Sequence, residues 1–135
     1  MGNSKQLQVG NATEQKVANL FNRYGYWVHI LQKGKDGGQP VDIVAIKNNV
    51  NWLIDAKNIE EEISFPFSRI ESNQITSLDY ALNFAGIKKV GFAIYFKRFD
   101  KIYYLPYIKF IKLKEEKRKS VRYDELYEME AYLKW

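Results

Sequence analysis

The sequence predicts a mixed α/β fold in which helices flank a mixed central sheet. Two stretches carry apolar residues at helical spacing, and the other apolar stretches are short aromatic and β-branched runs typical of strands. These segments follow one another in the order α-β-β-β-α-β-β. Because the chain has 135 residues and 46% hydrophobic content, we expect one domain spanning residues 1–135.

The first helix is predicted over residues 11–24, where apolar residues recur at helical spacing. Asn11 or Thr13 is expected to cap its start, and Gly25 is expected to end it. A strand is predicted over residues 26–31, which are rich in aromatic and β-branched side chains.

The next two strands are predicted to form a hairpin. Residues 32–40 contain three glycines and a proline and are therefore expected to form a loop. Strands over residues 41–46 and 52–57 are joined by a turn at residues 47–51, which contains two adjacent asparagines. Residues 58–66 are expected to form the following loop.

The second helix is predicted over residues 68–85, because apolar residues form one stripe there and Gly86 follows as a C-terminal cap. The stripe comprises Ile75, Leu78, Leu82 and Ala85. Strands over residues 90–96 and 102–107 are expected to pair as a hairpin or to end in an edge strand, since Pro106 suits an edge.

The charge balance favours a polyanionic partner. The net charge is +5 and the pI is about 9.3, which suits nucleic acid, although simple solubility also explains it. Residues 112–122 form a charge run that we expect to be a solvated surface segment, and residues 123–134 are expected to form a short final helix.

Two absences bear on the cellular compartment. The chain has no cysteine, which fits a reducing compartment and leaves no thiolate metal site. The first residues have no apolar run typical of a secretory signal, and no segment approaches the roughly 20 apolar residues that span a bilayer. We therefore expect a soluble, intracellular protein of the cytoplasm.

Three charged residues interrupt the predicted hairpin strands: Asp42 in the first, and Asp55 and Lys57 in the second. Strand interiors disfavour such residues because they are costly to bury. Side chains alternate between the two faces of a strand, so Asp55 and Lys57 share one face, about 7 Å apart at Cα. In an antiparallel hairpin Asp42 lies opposite this end of the second strand, and the two carboxylates are expected to converge.

Two converging carboxylates suit a hard divalent cation such as Mg²⁺, which prefers a few oxygen ligands and several waters. Such an ion lowers the pKa of a bound water and stabilises charge on a phosphate. The backbone carbonyl of Ala56 is a further candidate ligand, and Lys57 can orient a water or offset negative charge. The alternative is a surface sheet in which Asp55 and Lys57 pair in solvent and Asp42 only begins a strand.

Glu14 is the next candidate, because its position on the first helix is on or beside the inward face. It precedes Val17, Ala18 and Phe21 by three, four and seven residues. A carboxylate on that face needs a partner. Glu14 is therefore either a first-turn glutamate favoured by the helix dipole or the edge of the same acidic cluster.

The charged residues stand in a pattern that resembles the PD-(D/E)xK nuclease superfamily: VG-x3-E ending at Glu14, PVD ending at Asp42, and DAK ending at Lys57. The stretch FPFSRIESNQITSL, residues 65–78, resembles the RecU-type Holliday junction resolvases, as do GFAIYF and YYLP in the later strands. The N-terminal half, with GYWV after the first helix, is equally similar to the archaeal Holliday junction resolvases.

The resemblance covers about residues 9–107 and implies a restriction-endonuclease-like core. It implies an endonuclease that depends on Mg²⁺ or Mn²⁺ and selects DNA by structure, with a Holliday junction resolvase of recombination and repair as the leading interpretation. Its DNA would be four-way or branched, and a homodimer is expected because a junction has two strands to cut. The alternatives are another PD-(D/E)xK nuclease, of restriction, nicking or repair type, and a non-catalytic DNA-binding module.

The same resemblance implies residue roles. Asp42 and Asp55 would bind the metal ion, with Lys57 as the catalytic lysine. Glu14 would assist the metal site. Gln74 would be a supporting active-site residue, or else a polar residue that flanks the core stripe.

The chain departs from the RecU-type pattern in two ways. Asp55 stands where a glutamate, one methylene longer, is usual, which bears on how the metal ion is held. The segment before Glu14 contains little of a basic arm, which fits a phage-type member.

Three cations are candidates for DNA contacts. Lys33 and Lys35 lie in the glycine-rich loop before Asp42, where they could grip phosphates or simply keep the loop soluble. Arg69 lies at the predicted start of the second helix, where the helix N-terminus would also favour a phosphate.

Overall fold

The structure is a computed structural model that describes residues 2–31 and 41–134, with residues 2–11 described as backbone only. In chain order the elements are α1 (Gly2–Arg23), β1 (Trp27–Ile30), β2 (Ile43–Lys47), β3 (Val50–Ile59), β4 (Ser64–Pro66), α2 (Ser72–Asn83), β5 (Lys89–Phe96), β6 (Lys101–Pro106), α3 (Tyr107–Glu115), β7 (Ser120–Arg122), β8 (Tyr127–Glu128) and α4 (Met129–Leu133). Short 3-10 turns precede α2 and β8, at Phe67–Arg69 and Tyr123–Glu125.

The main sheet has six strands in the order β1-β2-β3-β5-β6-β8. The pairs β1–β2 and β2–β3 are antiparallel, β3 and β5 are parallel, and β5–β6 and β6–β8 are again antiparallel. This mixed sheet with helices on its faces confirms the predicted α/β class. The strands β4 and β7 form a separate two-stranded antiparallel sheet.

The first helix is longer than predicted. It runs through Asn11 and Thr13, so the predicted cap at either residue is wrong. The preceding residues include no proline and several good helix formers, so nothing in that segment stops the helix. The other end is as predicted: Gly25 has φ +86°, a conformation that favours glycine.

The β2–β3 hairpin is confirmed. Its turn residues Asn48 and Asn49 have φ values of 49° and 68°, typical of a type I′ turn, in which asparagine is well tolerated. At the site end of the hairpin, the pairing of β2 with β3 stops at Ile43 and Ile54. The strand β2 therefore begins at Ile43 and not at residue 41 as predicted. Beyond Ile54, β3 continues with β5 as its partner and extends past its predicted end.

The second helix starts later than predicted. Residues 67–69 form a 3-10 turn and Ile70 is extended, with φ −93° and ψ 122°, so a helix start at residue 68 is wrong. The helix begins after Glu71, whose N–H donates to Gln74 Oε1 at 3.0 Å. This bond satisfies a backbone donor at the helix start and positions the Gln74 side chain.

The buried stripe of α2 also differs from the prediction. Leu78 is fully buried and Ala81 is buried, whereas Ala85 is exposed because the helix ends at Asn83. Gly86 has φ +73° beyond that end, as expected for a glycine cap.

The C-terminal quarter overturns two expectations. Residues 112–122 are not merely a solvated surface segment, because α3 and β7 form there. Tyr107, Phe110 and Leu113 are buried at a helical spacing that the lysines between them conceal in the sequence. A helix over residues 123–134 is also wrong, since Leu126 is extended (φ −118°, ψ 159°) and only α4 forms.

The hairpin of β5 and β6 is confirmed, with Cα pairs from Gly91–Pro106 to Phe96–Lys101. The strand β8 pairs with β6 at Tyr103 and Tyr104 only, so Pro106 lies outside the covered part of β6.

The core lies on both faces of the sheet. One face packs against α1 and α4 through Phe21, Trp52, Ile54 and Met129. The other face packs against α2 and α3. In the part of the chain that the structure describes, no helix is both long and apolar enough to cross a membrane.

Candidate active site

The candidate site forms where β2 ends beside β3. The chain reaches this point through Asp42, whose N–H donates to Ile54 O at 3.0 Å and whose C=O accepts from Leu31 N at 2.8 Å. These two backbone bonds fix Asp42 between the ends of β1 and β2 and the middle of β3. Its side chain is buried, with 8% relative exposure.

The Asp42 carboxylate turns toward β3. Its Oδ2 accepts a hydrogen bond from Ala56 N at 2.9 Å. Asp55 is the neighbouring residue, and the Asp42 carboxylate is close enough to raise the pKa of Asp55. The structure thus brings together the two carboxylates that the hairpin pattern predicts should converge.

Asp55 is 1% exposed. Its Oδ1 accepts from Gln74 Nε2 at 3.0 Å, and its Oδ2 lies 3.1 Å from Lys57 Nζ. That ion pair does not have hydrogen-bond geometry, and among the described residues Oδ2 has no hydrogen-bond partner. Burial first, and then the Asp42 carboxylate, raises the pKa of Asp55 well above its usual value, although Lys57 acts in the opposite direction.

Lys57 and Gln74 complete the buried group. Lys57 Nζ donates to Gln74 Oε1 at 3.3 Å, and the lysine side chain is 13% exposed. Gln74 therefore contacts both charged partners, donating to Asp55 and accepting from Lys57. Because its Oε1 also accepts from Glu71 N, the amide orientation is fixed at three points.

Ala56 lies between the two charged residues of β3. Its N–H is used by the Asp42 carboxylate. In a strand the N–H and C=O of one residue point to the same edge, so the Ala56 carbonyl faces the edge that β2 has left. It is therefore placed as a further oxygen near Asp42.

Glu14 is in α1, which packs on the face of the sheet opposite α2 and Gln74. Lys16, two residues after Glu14, lies over the Tyr95 ring at 5.1 Å from its centroid, and Tyr95 is the Cα partner of Asn58. Asn58 follows Lys57, so this part of α1 lies beside the stretch of β3 that follows Lys57. Glu14 itself is partly exposed.

The predicted DNA contacts have separate outcomes. Arg69 is exposed and donates through Nη1 to the Asn58 backbone carbonyl, one residue from Lys57. It lies in the 3-10 turn before α2, so it is near the site but not at a helix N-terminus. Lys33 and Lys35 lie outside the described residues.

Two residues contribute to the site although the sequence pattern did not predict them. Glu71 fixes Gln74 through its N–H, and Asn58 fixes Arg69 through its carbonyl. Only the first has a sequence signal: a glutamine three residues after a polar residue is the spacing of a capping box.

The donor set fits a hard divalent cation. Asp42 and Asp55 supply carboxylates, and Asp55 Oδ2 is a buried oxygen beside the Lys57 ammonium that accepts no hydrogen bond in the described part of the chain. A cation beside this oxygen would stabilise the ionised pair, which burial otherwise penalises. Three or more His, Cys, Asp or Glu side chains do not cluster anywhere in residues 2–31 and 41–134, so waters and a backbone carbonyl would supply the remaining ligands.

Comparison with known proteins gives a family match and structural matches. The family model described as RecU, Recombination protein U, matches residues 39–135. The structure of Hjc, a Holliday junction resolvase from the archaeal hyperthermophile Archaeoglobus fulgidus, aligns with a TM-score of 0.69 at 16% identity, covering 92% of this chain and 99% of that chain. Curated protein sequences give no match.

The structural likeness shows a shared fold, including the central mixed sheet and its flanking helices. The family match includes Asp42, Asp55, Lys57 and Gln74, whereas Glu14 precedes it. The chain therefore belongs to the RecU family of Holliday junction resolvases, a family of endonucleases.

Proposed function

We propose that this chain is a divalent-metal-dependent endonuclease that hydrolyses phosphodiester bonds in Holliday junctions during DNA recombination and repair. The observation that carries the proposal is the buried group of Asp42, Asp55, Lys57 and Gln74 at the end of β2. Family membership supports the substrate class, and the buried group supports the chemistry.

The Asp42 and Asp55 carboxylates and the Ala56 carbonyl would hold Mg²⁺ or Mn²⁺, with Glu14 assisting from α1. When bound, such an ion supplies Lewis-acid stabilisation of phosphate charge and lowers the pKa of a coordinated water. Asp42 would be held for this role by the Ala56 N–H, which donates to its Oδ2.

Lys57 would orient the attacking water and offset the negative charge that develops on the phosphate. Its ammonium is held between Asp55 Oδ2 and Gln74 Oε1, at 3.1 Å and 3.3 Å. Gln74 acts as a positioning residue, because its amide keeps both Asp55 and Lys57 in fixed orientations.

Arg69, together with Lys33 and Lys35 of the glycine-rich loop, would contact backbone phosphates near the site. A homodimer would place two such sites on the two strands that a junction presents for cleavage. In this proposal the carboxylates bind the metal ion, and the cationic side chains bind the DNA phosphates.

The test is cleavage of a labelled four-way junction by wild type and by two variants. Asp42→Asn keeps an oxygen that can accept from Ala56 N–H but lacks the charge, and Lys57→Met keeps the aliphatic stem. We expect both to lower the cleavage rate in Mg²⁺ or Mn²⁺ by roughly 100-fold or more. Lys97→Met, which loses only an exposed pair with Glu60, should cleave within about twofold of wild type.

A substrate panel separates the alternatives. Wild type should cut the junction much faster than a linear duplex of the same sequence. Equal rates would instead assign another nuclease activity of this fold, and salt-sensitive DNA binding without cleavage in either metal would assign a non-catalytic module. Cleavage unchanged in both site variants would overturn the mechanism.

A further inference from the structure

The charge of the chain is concentrated in residues 112–122, here called the basic segment. It contains six cations and two carboxylates, and so carries a net charge of +4, against +5 for the whole chain. The cations are Lys112, Lys114, Lys117, Arg118, Lys119 and Arg122. Because the rest of the chain is nearly balanced, this segment dominates attraction for a polyanion.

The basic segment is held in a defined shape. Lys117 has φ +65° and ends α3, and Arg118 N donates to Leu113 O at 3.0 Å. Arg118 then pairs with Glu125 at 2.7 Å. The Arg118 hydrogen bond, more than any other contact, lowers the pKa of Glu125 to about 2, so this pair stays ionised at neutral pH.

The internal pairs use the arginines and leave the lysines. Arg118 pairs with Glu125, and Arg122 pairs with Asp124 at 3.1 Å. The lysines of the segment are all exposed, and none forms an ion pair with a residue of the described ranges. They are Lys112, Lys114, Lys117 and Lys119. Lys114 Nζ lies 5.8 Å from the centroid of the Phe110 ring, which is an internal contact but not an ion pair. Exposed cations without an internal ion pair are available to an external anion at low ordering cost.

The basic segment adjoins the candidate active site through a cleft of about 540 Å³. Lys119 O accepts from Phe67 N at 2.9 Å, which joins the segment to the turn that contains Arg69. Arg69, Asn58 and Ser120 line the same cleft, and Asn58 follows Lys57 in β3. The cleft therefore extends from Asn58, the residue after Lys57, to Ser120 of the basic segment.

The cleft also contains negative charge. Glu60 and Glu62 line it, and Glu60 pairs with Lys97 at 3.3 Å. A phosphate backbone near this cleft is repelled by these carboxylates and attracted to the exposed lysines of the basic segment.

We propose that the four lysines of the basic segment bind the phosphate backbone of a duplex DNA arm that leaves the active site. The proposal rests on the proposed nuclease function. It assigns a DNA contact to residues outside β2, β3 and α2, the elements around the candidate active site. The contact is to phosphates, so it is independent of base sequence. It would anchor an arm while the site acts near the branch.

The first test is the salt dependence of DNA binding in a chelator, where no cleavage occurs. Lys117→Gln/Lys119→Gln should weaken binding of a long-armed junction by at least about tenfold at 0.1 M salt, because two counterion-releasing contacts are lost. The slope of log Kd against log salt should fall by about 1.8, or about 0.9 for each contact. Fluorescence anisotropy measures both quantities.

The matched control removes two exposed lysines elsewhere. Lys88 precedes β5, at the end of the sheet opposite Lys57, and Lys134 follows α4. Lys88→Gln/Lys134→Gln should keep the wild-type slope. An unchanged slope in the Lys117/Lys119 variant, or an equal loss in the control, would overturn the proposal.

The second test maps the contact directly. The chain has no cysteine, so Lys119→Cys gives one site for a photoactivated crosslinker, and Lys88→Cys gives the control. Crosslinks from position 119 should fall on duplex arm nucleotides away from the branch. Crosslinks confined to the branch point, or no more frequent than those from position 88, would contradict the assignment.

Cleavage separates this proposal from the proposed function. At saturating protein, the Lys117→Gln/Lys119→Gln variant should cleave at the wild-type single-turnover rate, since these lysines do not touch the reacting atoms. If wild type cuts no junction, the nuclease proposal fails, while the loss of salt slope still tests the lysine contact on its own.

Discussion

Asp55 carries the largest electrostatic cost in the described part of the site. Its carboxylate is 1% exposed and next to Asp42, and its Oδ2 lies 3.1 Å from Lys57 Nζ but accepts no hydrogen bond there. Lys57 offsets this cost only in part, because burial and Asp42 still raise the pKa of Asp55. A residue kept in so unfavourable a setting is more consistent with metal binding than with stability.

The first prediction concerns the pH dependence of stability without metal. The folded-state pKa of Asp55 lies above the unfolded value, so ionisation of Asp55 destabilises the fold. Stability is therefore fully present below the unfolded pKa of about 4 and is lost as pH rises through the raised folded pKa. Asp55→Asn should remove this loss, making the metal-free variant more stable than wild type at neutral pH.

Thermal unfolding in a chelator across pH 4 to 8 measures the effect, and Mn²⁺ supplies the second readout. Added Mn²⁺ should raise the melting temperature of wild type and leave that of Asp55→Asn unchanged. Asp100→Asn, at an exposed turn residue that accepts from Tyr95 OH, is the control and should retain the Mn²⁺ response. A variant less stable than wild type at every pH would show that the Asp55 charge stabilises the fold.

At the scale of elements, the Gln74 side chain links α2 to β3 by hydrogen bonds. Gln74 is in the first turn of α2, where it accepts from the Glu71 N–H, and it also contacts Asp55 and Lys57 of β3. The same amide therefore shapes the helix start and orients the Asp55 and Lys57 side chains. This link explains why a glutamine is buried in a helix whose other inward residues are apolar.

The second prediction is that Gln74→Ala lowers the rate of cleavage without weakening junction binding. It leaves the buried Asp55 Oδ1 without a donor, which should cost about 1–3 kcal/mol in the free energy of unfolding. With metal in excess, the single-turnover rate should fall by about tenfold because Lys57 loses its fixed orientation, while junction affinity in chelator stays within about twofold. Thr76→Ala, at an exposed position on the same helix, should change neither quantity.

A purely structural role for Gln74 would give a different result. The variant would then lose stability but, below its melting temperature, cleave at the wild-type rate. Restoring the folded fraction by lowering the temperature distinguishes this case from loss of positioning.

The elements differ in how far the local sequence predicts them. The hairpin turn at Asn48 and Asn49 and the end of α1 at Gly25 follow from backbone preferences of single residues, so they were predictable. The helix α3 was not, because its buried residues alternate with lysines that read as a solvated run. Its stability comes from packing on the sheet, which a window of sequence does not contain.

The candidate site also has contacts that local sequence predicts and contacts that depend on tertiary packing. Convergence of Asp42 and Asp55 follows from strand alternation and hairpin register, both local properties. The contact of Gln74 with Lys57 depends on where α2 docks on the sheet, so only the family resemblance pointed to it. The cleft between Arg69 and the basic segment depends on the pairing of β4 with β7, which no sequence pattern indicated.

At the scale of the whole molecule, each chain carries one candidate site, whereas a four-way junction requires two incisions. Paired cleavage by the proposed nuclease would therefore need two copies of the chain. The outer surface of α2 offers an apolar contact: Tyr80 and Phe84 are 64% and 75% exposed, and their rings stack with centroids 5.3 Å apart. Two adjacent large aromatic side chains in water are costly unless another surface covers them.

The third prediction is that a second copy of this chain covers Tyr80 and Phe84. Tyr80→Ser/Phe84→Ser should halve the molar mass measured by light scattering and convert paired incision into separate single nicks. Because both side chains are already exposed, the thermal stability of the monomer should change little. Ile108→Ser, which removes a 62% exposed apolar residue from α3, should remain dimeric. A dimer that survives the double substitution would place the partner on another face, and dissociation by Ile108→Ser would assign the contact to α3. Since α2 also carries Gln74, a dimer contact on its outer side would couple association of the two chains to the geometry of each site.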